Sequence, residues 1–260
     1  MMRHTTLEPV GAHVEDVRVE DLDAAGIDET RRLAADHGVV VFRGQSLDDD
    51  RFTEFLRAFG DLVFTEGETP VPGHPDLNVI SNVGRTTTPR STFHVDTSYV
   101  AHPPAYTSLR AVTVPSEGGQ TVFSNQYRAW DTLPDDLRDE LVDRTLTHVV
   151  TGLDLADDAE SSAVHPLVAT HPISGRRSLY LSTPARCASI SGMSPDETAE
   201  TVRFLYDHST AEDNVHRHTW QPGDVVLWDN RCVMHRADHS GVVGDRVMHR
   251  GMATDGRARS

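Results

Sequence analysis

The sequence predicts a mainly β chain (α+β): an antiparallel jelly roll with helices packed on its outside. Three observations predict it. From about residue 77 onward short β-like runs follow one another. Turn chemistry separates them, in EGGQ, ISGRR and QPGD. Only two helical segments interrupt the series. Closing such strands into a double-sheet roll limits exposed edges and leaves a mouth for a ligand.

The elements can be justified in order. DETRRLAADHG (28–38) carries Leu33, Ala34 and His37 at helical spacing and stops on Gly38. VVVFRG (39–44) reads as a buried strand, its valines and Phe42 suiting a pleated surface. SLDDDRFTEFLRAFG (46–60) has acids in its first turn, Phe52, Phe55, Leu56 and Phe59 on one stripe, and Gly60 at its end. The strands expected next are LNVIS, AYTSLRAVTV, TVFSN, LTHVV, VHPLVATHP, RSLYLS, DVVLWDN and RVMHRGMA. The helical insertions are QYRAWDTLPDDLRDELVD (126–143) and SPDETAETVRFLYDHS (194–209). The second has Ser194 as N-cap, Pro195 at the first helical position and Glu197 completing a capping box.

The chain has 260 residues and no repeat or Pro/Gly/Ser-rich linker, so one domain over 1–260 is expected. With 40 Asp plus Glu against 24 Lys plus Arg, the formal charge of -16 would repel a phosphate backbone, and nucleic acid is excluded as a partner. The N-terminal stretch lacks the apolar run of a signal peptide and no segment has the roughly 18 apolar residues of a membrane span. A cytoplasmic protein with no membrane partner is expected. Cys187 and Cys232 read as reduced thiols without a redox role.

Chemistry concentrates in FHVDTSY. In an extended segment, side chains at i and i+2 point the same way, so His94 and Asp96 can meet at one metal ion, although H-x-D is equally the spacing of a structural hydrogen-bonded pair. LWDNRCVMHRADHSG supplies a third candidate, His235, just after a strand. Two histidines and a carboxylate leave open positions of the kind that non-haem Fe(II) uses. In RVMHR, alternation puts Arg246, Met248 and Arg250 on one strand face and Val247 and His249 on the other. An arginine fork suits the far carboxylate of a diacid in an apolar pocket.

These blocks, with HGVVVFRGQSLDDDRFTEFLRAFGDL, VPSEGGQTVFSN, HPISGRRSLYLS and WQPGDVVLWDNRCVMHRAD, span nearly the whole length. The chain resembles the taurine dioxygenase (TauD/TfdA-like) family of Fe(II)- and 2-oxoglutarate-dependent dioxygenases. The resemblance implies a cupin-like double-stranded β-helix. It also implies that His94, Asp96 and His235 are the iron ligands, that Thr121 and Arg246 bind the cosubstrate 2-oxoglutarate, and that Arg250 binds the substrate's anionic group. The reaction it implies consumes O2 and 2-oxoglutarate, releases succinate and CO2, and hydroxylates a small anionic metabolite: an amino acid, carboxylate, sulfonate or phosphonate. Hydroxylation next to a heteroatom would give cleavage. Relatives also suggest a homo-oligomer, a dimer or tetramer.

Two departures stand out. VFTEGETPVPGHP (63–75) has neither the histidine nor the tyrosine that hold taurine in relatives in register, which argues against taurine. STPARCAS replaces the usual asparagine and phenylalanine over the substrate, bringing Ser182 and Ala185, and Arg186 as a candidate second substrate contact. Because Asp96 is present, halogenation, whose enzymes lack this carboxylate, is not expected. Two rivals remain: a zinc hydrolase on the same ligands and a catalytically silent jelly-roll binding protein for a small acid. Arg246 and Thr121 have no task in the first, and the intact ligand set argues against the second.

Overall fold

Period-2 alternation sets the layering. In the strand Val39–Phe42, Val40 and Phe42 enter one core while Val39 and Val41 enter another. In the strand Val225–Asp229 beside it, Val225 and Leu227 join the first core and Val226 and Trp228 the second. A sheet apolar on both faces must be covered on both. The computed structural model describes residues 1–65, 67–84, 91–152, 155–156 and 159–256.

The large sheet has nine strands and runs His4–Thr6, Ala12–Val14, Val39–Phe42, Val225–Asp229, Tyr106–Thr113, Val247–Ala253, His74–Ser81 and Pro70–Val71, with Leu62–Val63 paired onto Val247–Ala253. Its pairings are antiparallel except that between Ala12–Val14 and Val39–Phe42, which is parallel. Its outer face packs on the helices Ala24–His37 and Asp49–Arg57 through Phe42, Phe52, Phe55, Leu56 and Phe59. Its inner face packs on a three-stranded sheet, Val215–His218, Thr121–Asn125 and Val233–Ala237, through contacts such as Phe123 against Trp228. Behind that smaller sheet, Val122 and Met234 meet the helix Pro195–Ser209 and a further sheet built from Thr145–Val149, Ser162–Pro166 and Cys187–Ile190. The expected jelly roll with outer helices is the observed architecture.

Several boundaries differ from the expectation, each for a local reason. The first helix begins at Ala24, where Asp23 caps Gly26 N at 2.8 Å, and ends as expected at Gly38. The second ends at Arg57, and Gly60 serves a close approach rather than a stop, since a Cβ there would lie 2.3 Å from Thr254 O. Segment 126–143 is two helices, Gln126–Asp131 and Asp135–Leu141, because Pro134 disfavours helical geometry at Leu133. VHPLVATHP is likewise two strands: Ser162–Pro166 pairs with Thr145–Val149 and Val168–Thr170 with Arg177–Leu179. The capping box forms as read, Ser194 N donating to Glu197 Oε2 at 2.7 Å and Glu197 N to Ser194 Oγ at 3.3 Å. His235 follows the strand Val225–Asp229 and its turn as expected, and lies inside the next strand, Val233–Ala237.

Candidate metal centre

Backbone pairing builds the centre. His94 and His235 form an antiparallel bridge in which each N–H donates to the other's carbonyl at 3.0 Å, so both side chains leave the pair on one face. Their rings lie 4.5 Å apart, centroid to centroid. Asp96, two residues on, adds its carboxylate: His94 Nε2 is 3.6 Å from Oδ1 and His235 Nε2 is 3.7 Å from Oδ2. These separations exceed a hydrogen bond. All three ligand atoms lie within 4.8 Å of one another, within reach of one shared ion.

The surroundings favour metal-binding protonation states. Burial pushes the His235 imidazolium down to about 3 against the pull of Asp96, so the ring is neutral and offers a lone pair at pH 7. Burial alone would raise the Asp96 carboxyl, but the charges of His235, Arg250 and His94 hold it well below the usual range. Thr107 Oγ1 donates to Asp96 Oδ2 at 2.8 Å, and Asn230 Nδ2 donates to Thr107 Oγ1 at 2.8 Å. Asn230 in turn accepts from Trp228 Nε1 at 3.1 Å. His235 Nδ1 is buried and unpaired among the described residues. Two imidazoles and one ionised carboxylate fit a divalent first-row ion such as Fe(II).

A second cluster, His171, Asp229 and Cys232, does not fit one, although its atoms are equally close. Arg231 occupies both Asp229 oxygens, through Nε at 2.8 Å and its NH2 nitrogen at 2.6 Å. His171 Nε2 bonds to Asp229 at 3.0 Å and its Nδ1 accepts from Ile173 N and Ser174 N. Burial raises the Cys232 thiol well above its ordinary value. This cluster is a structural ion pair.

Two arginines follow, Arg246 just before the last strand and Arg250 within it. Arg246 is 1% exposed; its Nε donates to Gly119 O at 2.8 Å and one terminal nitrogen to Thr121 Oγ1 at 3.3 Å. Both acceptors are neutral, and among the described residues no carboxylate pairs with it. Burial lowers its guanidinium to about 10, leaving it charged at pH 7. Thr121 Oγ1 also accepts from Trp220 Nε1 at 3.1 Å, which leaves its own hydrogen to donate. Gly119 has φ +69°, and a Cβ there would sit 3.0 Å from Arg246 Cδ. Arg250, on the same face as read from the alternation, donates to Asp96 Oδ1 at 3.4 Å and pairs with Glu68. His249, on the opposite face, meets Asp49 at 2.7 Å.

Arg186 stands apart from these contacts. Its Nε donates to Thr151 Oγ1 at 3.2 Å, and it is half-buried. Ser182 is fully buried and accepts from Val95 N at 3.4 Å, which steadies the segment that carries His94 and Asp96. Sequence reasoning missed Thr107, Asn230 and Glu68. Thr107 and Ser108 are hydroxyls within a run buried on both faces, a readable signal; Glu68 comes from a loop and offered none.

Residues 3–252 match the taurine catabolism dioxygenase TauD, TfdA family. The chain belongs to this family. It is 32% identical to the alpha-ketoglutarate-dependent 2,4-dichlorophenoxyacetate dioxygenase of Cupriavidus pinatubonensis, covering 94% of each chain. It is 30% identical to an alpha-ketoglutarate-dependent sulfate ester dioxygenase of Pseudomonas putida, covering 95% of this chain and 87% of that one. The crystal structure of AAD-2 in complex with Mn(II) and N-oxalylglycine superimposes with a TM-score of 0.85 at 26% identity, covering 98% of each chain. As a TauD/TfdA-family member the chain is an Fe(II)- and 2-oxoglutarate-dependent dioxygenase, with iron, 2-oxoglutarate and O2 as its reactants and cofactors. No helix among the described residues is long and apolar enough to cross a membrane.

Proposed function

We propose that this dioxygenase hydroxylates a small anionic metabolite, with His94, Asp96 and His235 holding the ferrous ion and Arg246 with Thr121 holding the distal carboxylate of 2-oxoglutarate. The observation that carries the site assignment is the uncompensated charge of Arg246. A zinc hydrolase would need only the three ligands, whereas a buried guanidinium without a carboxylate calls for an anionic ligand. The Thr121 hydroxyl, its acceptor positions filled by Trp220 and Arg246, donates to that same carboxylate.

Bound iron supplies open coordination positions at which the keto acid and O2 react to give succinate, CO2 and an oxidised substrate. The chain's own residues do the rest. Trp228 lies against His235 at 4.5 Å between ring centroids and Thr107 fixes Asp96, so the ligand set is oriented before an ion arrives. Arg250, beside Asp96, places the substrate's anionic oxygen next to the metal.

The test is succinate formed from 2-oxoglutarate under air with Fe(II) and ascorbate. We expect iron-dependent turnover that zinc inhibits, and a rise of at least tenfold in the KM for 2-oxoglutarate in Arg246→Ala. An unchanged KM in that variant would remove the assignment of Arg246.

A further inference from the structure

Arg250 is a buried cation that already has two anions. Its side chain is 10% exposed and lies between Asp96, 5% exposed, and Glu68, 27% exposed, so Glu68 stands on the solvent side of the guanidinium. Glu68 belongs to the segment between the strands Leu62–Val63 and Pro70–Val71, of which all but residue 66 is described. A further donor of the fork, Arg250 Nε, is buried and unpaired among the described residues. One N–H is therefore available to an acceptor oxygen without disturbing either ion pair.

The charges decide what kind of molecule can use it. Asp96 and Glu68 balance Arg246 and Arg250, and a ferrous ion balances the 2-oxoglutarate dianion, so the loaded site is neutral. A lone anion on that N–H would leave the site with an uncompensated negative charge, facing the Glu68 carboxylate at a half-buried position. A zwitterion meets no such conflict. Its anionic oxygen takes the Nε–H while its ammonium joins the outer side of Glu68, and each charge added has an opposite partner.

We propose that Glu68 is a specificity-determining residue that selects substrates carrying an ammonium group beside the carboxylate or sulfonate bound by Arg250. This rests on the assignment of Arg250 as the substrate anion's partner. Glu68 holds the ammonium and Arg250 the anionic oxygen, and the carbon between or beyond them is presented to the metal side.

Matched pairs of acids test it: α-amino acids and amino sulfonates, each beside its deaminated counterpart, such as 2-aminohexanoate with hexanoate and 3-aminopropanesulfonate with propanesulfonate. Two quantities are read. One is succinate formation above the level without substrate. The other is the dissociation constant by calorimetry on the anaerobic enzyme loaded with iron and 2-oxoglutarate. The expected result is that ammonium members stimulate succinate formation and bind at least tenfold more tightly than their partners. Glu68→Gln should weaken the ammonium member at least tenfold and tighten the deaminated one, with Glu68→Asp restoring part of the preference. Equal binding of both members to the wild-type enzyme overturns the proposal without any variant. So does a Glu68→Gln protein that shifts both members equally, which is the mark of a structural role. A panel in which no ammonium member stimulates succinate above the uncoupled level also overturns it. Absence of any succinate from the wild-type enzyme is a different result: it removes the oxygenase site assignment, and this inference with it.

Discussion

Thr107 is a fully buried residue whose hydrogen bond aims the Asp96 carboxylate. Its hydroxyl donates to the carboxylate and accepts from Asn230, so the donors are oriented in series and end on the oxygen nearest His235. Thr107→Val keeps the shape and removes the donor. Iron affinity is expected to fall about 10- to 100-fold, the usual scale for losing an outer partner of a metal ligand. Asn230 would also lose one acceptor, costing about 1–3 kcal/mol of stability. Metal titration of the iron-free protein and urea unfolding measure the two effects, and Thr107→Ser should retain both interactions. Undiminished iron affinity in Thr107→Val would mean that the strand alone positions Asp96.

At the scale of elements, the turn that ends at Thr121 is tied by Arg246 to the entry of the last strand. Gly119 allows it, having no side chain where Arg246 Cδ and Pro115 Cγ crowd at 3.0 and 2.9 Å. Gly119→Ala places a Cβ in that contact at a backbone angle of φ +69°. The KM for 2-oxoglutarate should rise at least tenfold while kcat changes less; a change confined to kcat would contradict the geometry. How far such elements could be read from sequence depended on their length and polarity. The helices Asp49–Arg57 and Pro195–Ser209 were plain because stripe, acids and caps agree. The strands Val215–His218 and Val233–Ala237 were missed because HRH and HRA put polar residues where alternation would show, and the flanking sheets that bury them are remote in sequence. Arg246 and Arg250 shared a face as alternation required, yet that Glu68 would lie on Arg250 is a tertiary fact that no local pattern encodes.

For the molecule as a whole, stability in acid should follow its buried histidines. His148 is fully buried, its Nδ1 3.0 Å from Ser98 Oγ and its Nε2 unpaired among the described residues. Burial, and then the charge of His165, push its imidazolium down to about 3. An unfolded histidine titrates near 6.5, so below that pH the unfolded chain takes up a proton that the folded one refuses. The contribution is complete above pH 6.5 and is lost progressively toward pH 3, amounting to about 2 kcal/mol by pH 5. Melting temperatures of the metal-free protein between pH 7 and pH 5 should therefore fall less in His148→Leu than in the wild type. His235 shifts in the same direction, so the variant reduces the fall without abolishing it. An identical fall in both proteins would assign the acid sensitivity elsewhere. The bridge between His94 and His235 bears on biogenesis as well. The first histidine leaves the ribosome long before the second, and their shared face exists only when the late strand has docked. On the proposed ligand assignment, a growing chain presents no complete nest for a ferrous ion until the segment carrying His235 has been made.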